Sequence, residues 1–115
     1  FPLYLVRDDM LIEVKGDKYI IGMNPEGTEY TNHEVDLRED DIIYIFSDGY
    51  VDQFGGQENK KFMYRRFRYL LLKIHSLPFE DQKSILEDNI TSWMSGNGQV
   101  DDIMVIGFKP LEGRR

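Results

Sequence analysis

The feature that most constrains the fold is an apolar run at residues 42–46 that leads directly into a Ser-Asp-Gly turn. Ile42–Phe46 consists of β-branched and aromatic residues without polar alternation, a pattern that predicts a strand buried on both faces. Ser47–Gly49 follows at once, and Asp-Gly is typical of a tight turn. A fold that satisfies this pattern places Asp48 at the end of an interior strand.

A second apolar run, Ile103–Phe108, is preceded by a pair of aspartates, Asp101 and Asp102. It predicts a second buried strand. If the two strands are antiparallel neighbours, both aspartate motifs lie at the same edge of the sheet. Clustered carboxylates repel each other unless protons or a cation compensate, and Mg²⁺ or Mn²⁺ are the natural partners of oxygen ligands. The residues leave open the alternative that these are ordinary turn aspartates exposed to solvent.

The segment between the two motifs has helical periodicity. Apolar residues recur at helical spacing across Lys60–Ile74, which predicts an amphipathic helix. Pro78 ends this helix and opens a second one, in which Glu80 and Asp81 suit the dipole of the first turn. Gly96–Gly98 ends the second helix.

The N-terminal part of the chain has strand patterns. Residues 3–14 predict a hairpin whose turn is formed by Arg7, Asp8 and Asp9, and weaker patterns at residues 18–23 and 30–37 predict further strands. Strands followed by two amphipathic helices and a final strand predict an α+β fold with a mainly antiparallel sheet.

Charge and composition exclude several classes of function. The net charge of −7 disfavours binding to nucleic acids and to anionic membrane surfaces. The absence of cysteine excludes disulfides and thiolate sites and fits the cytoplasm. No apolar run approaches the roughly 20 residues of a transmembrane helix. We therefore expect a cytoplasmic segment without membrane contact, whose parent could still be anchored through upstream segments.

The aspartate motifs and the residues between them resemble SpoIIE-type phosphatases of the PPM superfamily. The resemblance rests first on Ile43–Asp52 and Asp101–Ile106. It extends to Phe1–Gly22, Gln53–Gly56, Lys60–Phe62, Glu80–Lys83 and Trp93. It implies a layered α+β fold of two antiparallel sheets flanked by helices. Residues 1–115 would form its C-terminal half, incomplete at the N-terminus.

The resemblance also implies a chemistry. In the family, two Mg²⁺ or Mn²⁺ ions activate a bridging water that attacks phosphoserine or phosphothreonine in line. Asp48 and Asp101 match metal ligands, and no catalytic residue beyond these ligands is implied. Gly49, Asp52 and Asp102 match positions beside the ligands, and many relatives have asparagine at the position of Asp102.

The implied function is that of a phosphatase output domain in a bacterial signalling protein, with a phosphorylated anti-sigma-factor antagonist as an expected substrate. The family's metal-bridging aspartate lies in an N-terminal Asp-Gly-x-Gly-like segment that this sequence does not contain. We therefore expect the fragment to be inactive alone and to bind metal weakly or not at all. The alternative is a non-catalytic regulatory or protein-interaction module with the same fold.

Association with a second copy is a further expectation. A sheet that lacks part of its domain exposes unpaired backbone groups and apolar faces, which recruit other chains. Leu3–Val6 or Ile42–Phe46 is therefore expected to pack against a second copy in a homo-oligomer.

Overall fold

A computed structural model describes residues 3–14 and 37–111 of the chain. In chain order the elements are strands β1 (Leu3–Arg7), β2 (Met10–Val14), β3 (Ile42–Phe46), β4 (Phe54–Gly55) and β5 (Lys60–Lys61), helices α1 (Met63–Ile74) and α2 (Phe79–Met94), and strand β6 (Val105–Phe108). The predicted α+β architecture is confirmed. The strands predicted at residues 18–23 and 30–37 lie outside the described residues, apart from Leu37, which belongs to no strand.

The main sheet has four strands in the order β2-β1-β3-β6, and every neighbouring pair is antiparallel. The predicted hairpin of β1 and β2 is confirmed. Its turn residues Asp8 and Asp9 have φ of 50° and 61°, the left-handed conformation that a two-residue hairpin turn requires. Strands β4 and β5 form a separate short hairpin.

Strand β3 is an interior strand, as its sequence predicts. It lies between β1 and β6, and four of its five residues are buried. Leu3–Val6 and Ile42–Phe46 are each paired on both sides within the chain, so neither strand offers a free hydrogen-bonding edge. The expectation that one of them packs against a second copy in a homo-oligomer stays a prediction.

Both helices pack on one face of the sheet and form the core with it. The core side chains are Tyr4, Val6, Ile42, Tyr44, Phe46, Phe67, Leu71, Ile74 and Ile90, together with residues of the connecting loops. The ring of Phe46 lies 4.7 Å from that of Phe67 and 4.8 Å from that of Tyr4, measured between centroids. Burial of one side chain of this size contributes about 2 kcal/mol to folding. Within the described residues, neither helix has the length and apolar character needed to cross a membrane.

The helix boundaries largely follow the sequence pattern, with one correction. Helix α2 is preceded by Pro78 and followed by Ser95, which has a left-handed backbone. The change of period at Lys60 does not mark the start of α1, because Lys60 and Lys61 pair with β4 as a strand and the helix begins at Met63. This pairing is a tertiary contact, which local periodicity does not encode.

The prediction that residues 103–108 form a second buried strand is also wrong. Strand β6 covers only Val105–Phe108 and is an edge strand of the described sheet. Ile106 and Phe108 are 47% and 38% exposed. Their register with Ile45 and Ile43 places them on the face opposite the helices.

The face opposite the helices is apolar, and its side chains on the two outer strands are partly exposed, whereas Leu5 and Ile43 at its centre are buried. On β2, Met10 and Ile12 are 66% and 40% exposed, and they share this face with Ile106 and Phe108. An apolar sheet face normally packs against a second layer. This face therefore has the composition of a packing surface.

A partly buried ion pair joins the end of β1 to the residue before β3. Asp41 is 1% exposed, and Arg7 donates from Nε to its Oδ1 at 2.9 Å and from Nη2 to its Oδ2 at 2.6 Å. The Arg38 backbone N–H also donates to Oδ2, at 2.8 Å. The hydrogen bonds from Arg7 lower the pKa of the Asp41 carboxyl despite its burial.

We expect Asp41→Asn to lower the free energy of unfolding by about 3 kcal/mol at pH 7, because a neutral amide cannot replace the two charge-assisted hydrogen bonds that the Asp41 carboxylate accepts from Arg7. A lowered pKa contributes stability that is complete above the unfolded value of about 3.9 and is lost as pH falls through the folded pKa. The difference between wild type and variant should therefore shrink below about pH 4 in urea unfolding experiments. The neighbouring, exposed Asp40 supplies the control Asp40→Asn, which should change stability by about 0.5 kcal/mol or less. A pH-independent difference would contradict this account.

Candidate metal site at the edge of the sheet

The pairing of β3 with β6 brings the two aspartate motifs together. Phe46 is opposite Val105 in the ladder, and the pairing continues one residue further. The Ser47 N–H donates to the Met104 carbonyl at 3.0 Å, and the Met104 N–H donates to Ser47 Oγ at 3.0 Å. The Ser47 hydroxyl donates in turn to the Asp102 carbonyl at 2.8 Å. The expectation that both motifs lie at one edge of the sheet is confirmed.

Gly49 allows the closest approach between the two motifs. A Cβ at this position would lie 2.1 Å from the Asp102 carbonyl oxygen and 3.1 Å from the Ile103 Cα. Any side chain would therefore collide with backbone, which cannot move aside as a flexible side chain can. The glycine predicted beside the ligands is thus required by packing of the loop against residues 102–103.

A buried glutamine ties the segment before Asp101 to the segment after Asp48. Gln53 is fully buried, and its Nε2 donates to the Gly98 carbonyl at 2.9 Å. Its Oε1 accepts from the Val100 N–H at 3.4 Å. Because a buried amide must be hydrogen-bonded, these contacts fix the path of residues 98–100.

The Asp48 carboxylate is exposed, and the Tyr64 hydroxyl donates to its Oδ1 at 3.0 Å. Partial burial, followed by the hydrogen bond and charge of Asp48, raises the pKa of Tyr64 to about 12. The hydroxyl consequently keeps its proton at neutral pH and remains a donor to the carboxylate.

The Asp101 and Asp102 side chains are exposed at the start of the segment that leads into β6. Asp101 Oδ1 accepts from the Asp102 N–H at 2.7 Å, a local contact that holds one of the two carboxylate oxygens. The Asp102 backbone, rather than its side chain, makes the contact with Ser47.

Asp52 lies at the other end of the loop that begins at Asp48, and its N–H donates to the Asp48 carbonyl at 2.9 Å. Its carboxylate lies 3.7 Å from the Lys61 ammonium, with both side chains more than 40% exposed. An exposed pair of this kind contributes little stability. The structure thus places Asp52 at the end of the loop, with the Lys61 side chain as its charged neighbour.

The carboxylate oxygens at this edge are suitable ligands for a hard divalent cation, but the described residues supply too few of them. No lysine, arginine or histidine in the described part of the chain forms an ion pair with Asp48 or Asp101. Yet residues 3–14 and 37–111 contain no group of three acidic or histidine side chains able to hold a metal ion. Since Mg²⁺ requires near-octahedral oxygen coordination, the described residues offer part of a ligand set.

Sequence reasoning missed three residues that shape this edge. Ser47 was part of the recognised motif, but its bridging role depends on the partner strand. Gln53 lies in a segment that resembles the family, but neither its contacts nor those of Tyr64 follow from the sequence, because they join residues far apart in the chain.

Comparisons with known proteins agree with the fold described above. A family model described as stage II sporulation protein E, SpoIIE, matches residues 1–110. The solved structure of the SiaA-PP2C domain of Pseudomonas aeruginosa is similar, with a TM-score of 0.77 and 28% sequence identity over 94% of this chain. The match covers 42% of that structure's chain, so this chain spans less than half of its length. No curated protein matches the sequence.

We expect Gly49→Ala to lower the free energy of unfolding by about 2 to 3 kcal/mol, because its Cβ would collide with the Asp102 backbone. Gly98→Ala is the matched control, since a Cβ there meets nothing within 4 Å. Urea unfolding of both variants provides the measurement. Equal stability of the two variants would show that the loop and residues 102–103 are not packed as described.

Proposed function

The chain belongs to the SpoIIE family of PPM-type domains, and we propose that it forms the C-terminal half of a metal-dependent serine/threonine phosphatase domain in a signalling protein. Proteins of this family are generally serine/threonine phosphatases, and PPM phosphatases generally use Mg²⁺ or Mn²⁺. One observation carries the proposal. The Ser47–Gly49 loop and Asp102 are in direct backbone contact at one sheet edge, which places two aspartate motifs beside each other.

In the proposed site, Asp48 and Asp101 each contribute a carboxylate ligand. When bound, Mg²⁺ or Mn²⁺ supplies Lewis acidity toward a phosphoryl oxygen and lowers the pKa of a coordinated water. The chain's own residues position the ligands. Ser47 holds the backbone of Asp102, and Gly49 lets the two loops approach within van der Waals distance.

The apolar face of the sheet supports the proposal that this chain is part of a larger domain. Met10, Ile12, Ile106 and Phe108 are exposed on the face opposite the helices, and the similar SiaA-PP2C chain is more than twice as long as the matched region. We propose that the rest of the domain supplies a second sheet on this face, together with the missing metal ligands. The 115-residue segment alone is then expected to be inactive.

The proposed substrate is a phosphoserine or phosphothreonine in a signalling protein. The family resemblance suggests a phosphorylated anti-sigma-factor antagonist. The alternative function is a non-catalytic regulatory or interaction module, and it is consistent with the incomplete ligand set of the described residues. Activity of the full-length protein distinguishes the two.

We expect the full-length protein to hydrolyse a phosphoserine peptide with Mn²⁺ present, and Asp48→Asn to lower kcat/KM by about 100-fold, because it removes a charged ligand. Asp101→Asn should have a similar effect. Asp102→Asn should have a smaller one, since relatives carry asparagine there. Steady-state phosphate release provides the measurement.

Asp88→Asn serves as the control, because Asp88 is an exposed aspartate of α2 and the same charge is removed. Full activity of Asp48→Asn would exclude the proposed ligand role. Absence of turnover by the wild-type full-length protein with either Mn²⁺ or Mg²⁺ would favour the non-catalytic module.

A further inference from the structure

Tyr64 makes a contact that neither the motifs nor the family match accounts for. It is the second residue of α1, and its hydroxyl donates to Asp48 Oδ1 at 3.0 Å. Its ring packs partly buried on the core, with its centroid 6.4 Å from that of Phe46. The hydrogen bond therefore comes from a side chain whose ring has a fixed support.

The start of α1 is itself attached to the loop that carries Asp48. The Phe62 N–H donates to the Gln53 carbonyl at 2.9 Å, and the Met63 N–H donates to the Val51 carbonyl at 2.8 Å. Met63 has φ of 75°, an unfavourable conformation for a residue with a Cβ, which persists only where its surroundings impose it. The Tyr64 backbone is thus held in a defined position relative to the loop.

The contact has little value for folding. Asp48 is exposed, so water would satisfy its carboxylate oxygens if the tyrosine hydroxyl were absent. The hydroxyl instead restricts the rotation of the Asp48 carboxylate, because it holds one of its two oxygens, Oδ1. Orientation of a ligand by a neighbouring donor commonly strengthens metal binding.

We propose that Tyr64 is a positioning residue that orients the Asp48 carboxylate for a divalent cation at the sheet edge. This inference rests on the proposed function, in which Asp48 is a metal ligand. Tyr64 contacts neither the cation nor the substrate, and it acts only through Asp48.

The test compares Tyr64→Phe with Tyr69→Phe in the full-length protein. Both variants lose one hydroxyl from α1, but Tyr69 is 65% exposed and its ring lies beside Lys73. Mn²⁺ affinity is measured from the free-ion signal in electron paramagnetic resonance, without substrate. Tyr64→Phe should raise the Kd for Mn²⁺ by about tenfold, and Tyr69→Phe should leave it unchanged.

A merely structural role would leave a different signature. Under the proposal, the melting temperature of the metal-free protein is the same for Tyr64→Phe and wild type, and saturating Mn²⁺ restores kcat to within about twofold. An unchanged Kd, or a weaker affinity accompanied by a lower metal-free melting temperature, would overturn it.

The Asp48→Asn background separates this inference from the proposed function. If Asp48→Asn binds Mn²⁺ as wild type does, the ligand role itself fails and the inference falls with it. If Asp48→Asn weakens binding, the Tyr64→Phe effect should disappear in the double variant, because Tyr64 acts only through that carboxylate. Additive effects would place the influence of Tyr64 elsewhere and overturn the inference.

Discussion

The antiparallel pairing of β3 with β6 is the constraint on which the rest of the candidate site depends. Ser47 extends this pairing beyond both strands, because its N–H and its hydroxyl bind Met104 and Asp102 of the partner segment. The Ser47 hydroxyl thereby makes hydrogen bonds to the partner segment that backbone groups make within the ladder. Two motifs far apart in sequence consequently share one edge of the sheet. They approach so closely at residue 49 that a side chain there would collide with the Asp102 backbone.

Packing in the hydrophobic core fixes the position of the sheet edge that carries Asp48. Phe46, the last residue of β3, is fully buried between Tyr4 and Phe67, so the loop that follows it starts from a fixed point. Tyr64 packs against the same ring. Phe46 therefore links the packing of the core to the position of the Asp48 carboxylate, because it precedes the loop that carries Asp48 and supports the ring of Tyr64.

Buried amides give the connecting segments a unique arrangement. Gln53 orders the segment before Asp101, and Gln82 does the same for the turn between the helices, where its Nε2 donates to the carbonyls of His75 and Leu77. Its Oε1 accepts from the Tyr44 hydroxyl at 2.6 Å, and burial raises the pKa of that hydroxyl. Because a buried polar group that loses its partner is costly, such contacts select one packing over alternatives of similar apolar burial.

The sequence by itself determined the elements whose signals are local. The unbroken apolarity of Ile42–Phe46 identified an interior strand, and Asp8 and Asp9 identified a hairpin turn. Helical periodicity identified both helices and the approximate ends of α2. The two aspartate motifs single out Asp48 and Asp101, whose role as metal ligands stays a prediction.

Tertiary structure decided what depends on partners distant in sequence. Lys60 and Lys61 became a strand through pairing with β4, and β6 became an edge strand although its apolar content predicted burial. An apolar strand indicates a surface that will be covered, but it does not indicate whether a neighbouring strand, a helix layer or a second sheet covers it. An edge strand with an apolar outer face and an interior strand therefore look alike in sequence. The contacts of Gln53 and Tyr64 were equally hidden, because a hydrogen bond between distant segments depends on how the whole chain packs, and no local pattern of residues encodes it.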